Sequence, residues 1–282
     1  MSIIHPNTIR WPEPFVREAG AGHAVLCLHS NASSSSQWRP LLDRLSPDFH
    51  VLATDAYDAG ESPRWPWPDY IRLEDEVALL EPVLAKTSGK VMLVGHSYGA
   101  AVAIKLALTH RDRVAALALY EPTLFSLVEK EQPRPNDIEG IRRAIIEAGL
   151  ALDFGDPQSA ARVFIDYWGG EGSFDAMPPA RQAPIVKAIV NIRRWGHALI
   201  LEPTPIRALH TLTMPVLLMI GGQTRAPAKA VVDLLMRELP KPGLRVFEDA
   251  GHLGPVTHPD LVNQEIADFL RHCAPPVTAR AA

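Results

Sequence analysis

The chain has 282 residues, of which 47% are hydrophobic and 21% charged, enough apolar material for one large domain with an insertion and too much for global disorder. A net charge of −4, from 28 basic and 32 acidic side chains with no basic stripe, excludes an ordinary nucleic-acid-binding surface. Two cysteines, Cys27 inside an apolar run and Cys273, make no disulfide framework, and Cys27 reads as a small buried hydrophobe.

The opening MSIIHPNTIRWPEPF places Pro and polar residues where a signal peptide needs a continuous apolar run. No apolar stretch approaches the ~20 residues of a bilayer span, so the expectation is a cytoplasmic protein that neither enters a membrane nor binds nucleic acid. The first twenty residues predict one or two antiparallel edge strands. After them, strands are predicted at 25–28, 50–53, 91–94, 114–120, 216–220 and 244–247. Their apolar residues run continuously, as in a parallel sheet covered on both faces. Helices are predicted at 37–45, 73–84, 98–110, 228–239 and 261–272, alternating with the strands. From 122 to 210 the alternation stops, leaving only helical segments at 138–149, 159–167 and 185–201. A helical insertion between two parallel strands reads as a cap over their C-terminal edge, where ligands bind in such sheets. The predicted division is therefore a core of 1–121 and 211–282 with a cap of 122–210. The tail APPVTARAA reads as frayed.

The strongest local signal is VMLVGHSYGAAVAIKLAL, in which a strand meets Gly95-His96-Ser97-Tyr98-Gly99 and then an Ala-rich helix. Gly-x-Ser-x-Gly in this strand–turn–helix context places Ser97 in a tight, strained turn, with the free N–H groups of the helix N-terminus near its hydroxyl. Side chains at 95 and 99 would collide with the crossing strand and helix. The bland alternative is an ordinary turn capped by Ser97.

With GHSYG, the segments LCLHSNASSSSQW, TDAYDAGES and EDAGHLGPVTHP resemble the α/β-hydrolase superfamily along nearly the whole chain. The resemblance implies a doubly wound, mostly parallel sheet with the helical cap inserted between two strands. It implies Ser97 as nucleophile and His252, after the last strand, as general base. It also implies an oxyanion hole from the N–H groups of Tyr98 and Asn31. The loop after His29 departs from the family pattern, with Ser30 where Gly is usual. His258 and His29 read as structural, His96 points away from the reacting face of Ser97, and His197 and His210 lie in or beside the cap.

The acid of the triad raises a question. The family usually carries it after the strand 216–220, but GGQTRAP offers none, and no Asp or Glu occurs from Pro203 to Val232. Glu121, at the end of the strand 114–120, is the candidate displaced acid, a place some family members, haloalkane dehalogenases among them, are known to use. Pro122 predicts extended backbone at Glu121. Asp249 and Asp55 are weaker candidates, Asp55 reading as an organiser of neighbouring loops. A pocket is expected from His29, Ser30, Phe125, Trp168, Trp195 and Leu253. The expected activity is hydrolysis of a small to medium, partly apolar ester through an acyl-enzyme. Lactone or carbon–carbon bond hydrolysis by the same triad, or a ligand-binding sensor with little turnover, are the alternatives. Nothing in the sequence calls for a metal or cofactor, and the expected partners are a small-molecule substrate and a second copy in a homodimer.

Overall fold

A computed structural model describes residues 12–274. Seven strands form one sheet: β1 (Val16–Ala19), β2 (His23–Leu28), β3 (Phe49–Thr54), β4 (Val91–His96), β5 (Val114–Tyr120), β6 (Val216–Gly221) and β7 (Pro242–Phe247). Their order is β1-β3-β2-β4-β5-β6-β7, with β1 antiparallel to β3 and every other pair parallel. Of the edge strands expected in the first twenty residues, β1 is one; residues 1–11 of that stretch, and the tail 275–282, lie outside the described residues.

The helices sort onto two faces. On one lie α1 (Arg39–Leu45) and α11 (Pro259–Cys273); their buried Leu41, Leu45, Ile266 and Leu270 join Val25, Val51, Val94 and Ala118 in one apolar layer. On the other lie α2 (Leu73–Lys86), α3 (Tyr98–Thr109) and α9 (Ala226–Glu238), packed on Leu26, Leu93, Leu117 and Leu218. Because α1 follows β2 on one face and α3 follows β4 on the other, the loops after the adjacent strands β2 and β4 part over a topological switch point. In open α/β sheets the crevice at such a point receives the ligand.

Some boundaries differ from the periodicity reading. Residues 35–38 form a 3-10 turn before α1, because the Ser34 hydroxyl accepts from the Ser36 N–H and caps that turn. The periodicity has the last strand covered on both faces, but β7 is an edge strand, with Leu244 and Val246 exposed.

Between β5 and β6 the regular elements are all helices: α4 (Phe125–Glu131), α5 (Glu139–Asp153), α6 (Pro157–Gly169), α7 (Pro179–Ala188) and α8 (Ile192–Ile200), with α10 (Gly254–Thr257) following β7. Helical spacing brings Ile141, Ala144 and Ala148 of α5 and Ala161, Phe164, Ile165 and Trp168 of α6 into the core. The chain returns to the sheet past a polar cluster built on the buried Glu202 and Thr204. Lys105 Nζ donates to Glu202 Oε1 at 2.8 Å, and Lys130 Nζ donates to the carbonyls of Glu202 and Thr204 at 2.6 and 3.0 Å. Among the described residues no helix is long and apolar enough to cross a membrane.

Candidate active site

β4 runs directly into α3 through Ser97, whose φ of +54° and ψ of −114° lie in sparsely populated space for a residue with a side chain. The turn is fixed on both sides. The Ser97 N–H donates to Tyr120 O at 3.0 Å, and the N–H groups of Ala100 and Ala101 donate to Ser97 O at 3.1 Å. The flanking glycines are required by close approach. A Cβ at 95 would stand 2.5 Å from Ala100 Cα, and one at 99 would stand 2.3 Å from Leu28 O. Tyr98 is the first residue of α3, and its N–H has no acceptor among the described residues; nor has the N–H of Asn31.

His252 sits in the loop after β7, 3% exposed, beside Ser97 at 5% and Glu121 at 0%. Its Nδ1 lies 2.6 Å from Glu121 Oε2 and its Nε2 lies 3.0 Å from Ser97 Oγ. The carboxylate only accepts, so Nδ1 carries the proton and Nε2 presents its lone pair to the Ser97 hydroxyl. Glu121 also receives two bonds from the end of β6 and the loop after it: the Gly221 N–H donates to Oε1 at 2.8 Å and the Thr224 hydroxyl to Oε2 at 2.6 Å.

The backbone of Glu121 is not extended, as its following proline predicts. Its φ is +43°. The left-handed turn lets its N–H continue the β5–β6 ladder to Met219 O at 2.9 Å while its side chain swings past the end of β6. Such a conformation costs on the order of 1–3 kcal/mol, offset here by the three bonds to the carboxylate.

A second set of bonds supports the first. Burial, with the neighbouring His252 second, holds the His96 pKa well below the ordinary histidine value, so the ring is neutral and carries one N–H. His96 Nε2 donates to His252 O at 2.8 Å, which leaves Nδ1 to accept from Gln37 Nε2 at 3.1 Å. Gln37 Oε1 in turn accepts from the Ser30 N–H at 3.2 Å and the Ser30 hydroxyl at 3.1 Å. Ser30, the departure from the family's glycine, is thus used as a donor, and the left-handed residue of that loop is Ala32 at φ +54°. Asp55 ties the neighbouring loops together, accepting from the N–H groups of Ser35 at 2.5 Å and Glu61 at 2.9 Å. Asp249 is exposed, whereas Glu121 faces His252. Above the histidine, Trp168 of α6 stacks on the His252 ring, centroids 3.7 Å apart and planes at 22°.

The model of the alpha/beta hydrolase family matches residues 25–265. The chain belongs to that family. It is 30% identical over 265 residues to the lipase LipV of Mycobacterium tuberculosis, covering 88% of this chain and 91% of the lipase. It is 26% identical over 267 residues to a 2-(acetamidomethylene)succinate hydrolase of Mesorhizobium japonicum, covering 90% of each. Among solved structures it is similar to a thermophilic esterase from Thermogutta terrifontis, with a TM-score of 0.71, 26% identity and coverage of 92% of this chain and 93% of the other.

Beside the site of this alpha/beta hydrolase lies a cleft of about 1640 Å³, lined at that end by Ser30, Asn31 and Leu253 and not by Ser97 or His252 themselves. Four residues expected in the pocket, His29, Phe125, Trp168 and Trp195, do not line it, Trp168 because its ring is stacked on His252. His29 is buried with both nitrogens engaged, Nδ1 donating to Ser30 O at 2.7 Å and Nε2 accepting from the Ala56 N–H at 3.0 Å. Phe125 and Trp195 lie in the apolar core, because the insertion buries its aromatic faces against the sheet domain. His197 stacks on Tyr70, His210 pairs with Glu238, and His258 Nδ1 bonds the Thr257 hydroxyl. No group of His, Cys, Asp or Glu among the described residues is placed to hold a metal ion. Sequence reasoning missed Gly221, Thr224, Gln37 and the stacking of Trp168. Thr224 had one available signal, a hydroxyl in the loop where the acid is absent.

Proposed function

We infer that this hydrolase cleaves carboxylic esters by two-step acyl transfer through Ser97. The observation that carries the reading is the buried line from Glu121 Oε2 through His252 to Ser97 Oγ, with contacts of 2.6 and 3.0 Å. His252 takes the Ser97 proton as the hydroxyl attacks the carbonyl carbon. The N–H groups of Tyr98 and Asn31, which lack acceptors among the described residues, receive the oxyanion. His252 returns the proton to the leaving alcohol, then activates water against the acyl-enzyme. Glu121 holds the imidazole in the productive tautomer and balances the positive charge that forms on it. The ring face of Trp168 adds a further favourable surface for that charge and keeps bulk water from the histidine. The helical insertion acts as the cap, bringing Trp168 to the histidine.

The relatives named lipase, esterase and hydrolase support the reaction class. The test is covalent labelling by a fluorophosphonate probe together with turnover of a short p-nitrophenyl ester. Labelling of the wild-type protein that disappears in Ser97→Ala, alongside ester turnover, is the expected result. A folded wild-type protein that is neither labelled nor active would overturn the reading.

A further inference from the structure

The cleft that borders the site at Ser30, Asn31 and Leu253 is unusual in its charge. Of the charged residues lining it, four are basic (Arg64, Arg181, Lys187, Arg194) and two acidic (Asp58, Glu61). This is a local excess of two positive charges in a chain whose formal net charge is −4. Arg64, Arg181 and Lys187 are exposed and make no ion pair or hydrogen bond to the described side chains. They give the entrance a positive field and leave it unspent.

Arg194, on α8, is different because it is held. Its Nη1 donates to Asp58 Oδ2 at 3.2 Å and to Asn191 Oδ1 at 3.3 Å, and both partners also line the cleft. Its Nε and Nη2 have no acceptor among the described residues. The side chain is about one-third exposed, at 34%, so the group is partly shielded from water. A guanidinium fixed through one nitrogen, with the edge formed by Nε and Nη2 left open, is preorganised to grip a carboxylate through two parallel bonds. Asp58 is itself held in a left-handed conformation, φ +58°, its N–H donating to Pro63 O at 3.1 Å, so the clasp on Arg194 is rigid.

We propose that the substrate is an ester bearing a carboxylate away from the scissile bond, such as the half-ester of a dicarboxylic acid, and that the open edge of Arg194 receives that carboxylate. This rests on the ester-hydrolase reading above. Arg181 and Lys187 draw the anion into the cleft, and Arg194 fixes it while Ser97 attacks the ester carbonyl. Arg194 is thus a specificity-determining residue.

The experiment compares kcat/KM for monomethyl and dimethyl succinate, glutarate and adipate, followed by methanol release, with p-nitrophenyl acetate run on the same samples. Each monoester differs from its diester by the free carboxylate. The expected result is a monoester preference of about tenfold or more for at least one chain length, seen mainly in KM. Arg194→Gln removes most of that preference. Arg194→Lys keeps a charge able to reach Asp58, so a merely structural role predicts that it retains the preference, whereas the two-bond grip predicts that it loses much of it. The ratio of monoester to diester within each variant cancels losses from partial unfolding. Equal or faster diester cleavage by the wild-type protein, or a preference that survives in both variants, would overturn the inference and leave the hydrolase reading standing. Failure to turn over any of these esters, p-nitrophenyl acetate included, would overturn both.

Discussion

The Thr224 hydroxyl donates a 2.6 Å hydrogen bond to Glu121 Oε2. The loop that lacks the expected carboxylate therefore holds one that arrives from the neighbouring strand. Together with the Gly221 N–H it fixes both oxygens of a side chain that also bonds His252.

Glu121→Gln leaves the shape of the site intact but offers no negative charge to His252 and no assurance of its tautomer. The expected outcome is a fall in kcat of about 10³–10⁴, with unfolding temperature changed little by comparison. Glu121→Asp keeps the charge but withdraws it by one methylene, and is expected to fall by about 10–100-fold. Burst and steady-state kinetics on a p-nitrophenyl ester read both.

Thr224→Val removes one donor from the carboxylate and keeps the shape of the side chain. A loss of about 3–10-fold in kcat is expected, in line with one hydrogen bond to a charged group, and Thr224→Ser restores most of it. Equal rates in all three proteins would show that the bond contributes nothing to turnover.

Trp168→Leu removes the ring stacked on His252 while leaving an apolar side chain in its place. A fall in kcat of about tenfold is expected, from loss of the favourable contact with the imidazolium. Phe at the same position recovers part of it, which a pH–rate profile and kcat comparison of the two variants will reveal.

Gly99→Ala forces a Cβ to within 2.3 Å of Leu28 O and 2.5 Å of His29 O, both backbone atoms. Loss of about 3 kcal/mol or more of stability is expected, because strand and helix must separate. Gly89 offers the contrast. Its φ is +73° with nothing within 4 Å of where a Cβ would stand, so alanine there costs only the backbone term, about 1 kcal/mol. Denaturant midpoints of the two variants measure the difference.

Glu76 lies wholly buried behind the elbow, with Tyr98 Oη 3.0 Å from Oε1 and the Tyr57 N–H donating to Oε2 at 3.2 Å. Burial pushes its pKa up from 4.5 to about 8. The folded state therefore holds this proton after the unfolded state has released it. Its contribution to stability is fully present below the unfolded value and declines as pH rises from 4.5 to about 8, by up to ~1.4 kcal/mol per pH unit. Glu76→Gln is expected to remove that slope, so the variant gains on the wild type as pH rises through this window. Urea unfolding at several pH values checks it.

Much of this was legible because the relevant signals are local. Continuous apolar runs marked the strands, and Gly95 and Gly99 marked the elbow, since both are demands of immediate neighbours. Glu121 could be singled out from the strand order and from the absence of acid in GGQTRAP. Its left-handed backbone could not, because it depends on the Met219 carbonyl and the end of β6, set by pairing across the sheet. The exposure of β7 escaped for the same kind of reason: an apolar strand reads alike at the centre and at the edge. The chain Ser30–Gln37–His96–His252 joins residues as far as 156 positions apart, and no periodicity encodes it. Phe125, Trp168 and Trp195 all enter the core, and Trp168 alone of the three also stacks on the histidine, a distinction that depends on how helices dock.

The register of β5 against β6 sets Tyr120 opposite Met219, so the exits of the two strands stand side by side. One point in space, the Nδ1 side of the histidine, can be reached from two positions far apart in the chain. A pattern search that insists on Asp or Glu after the sixth strand would score this chain as a broken enzyme, although its carboxylate stands 2.6 Å from the imidazole. For such hydrolases, the vacancy in one loop is a reason to look at the end of the adjacent strand.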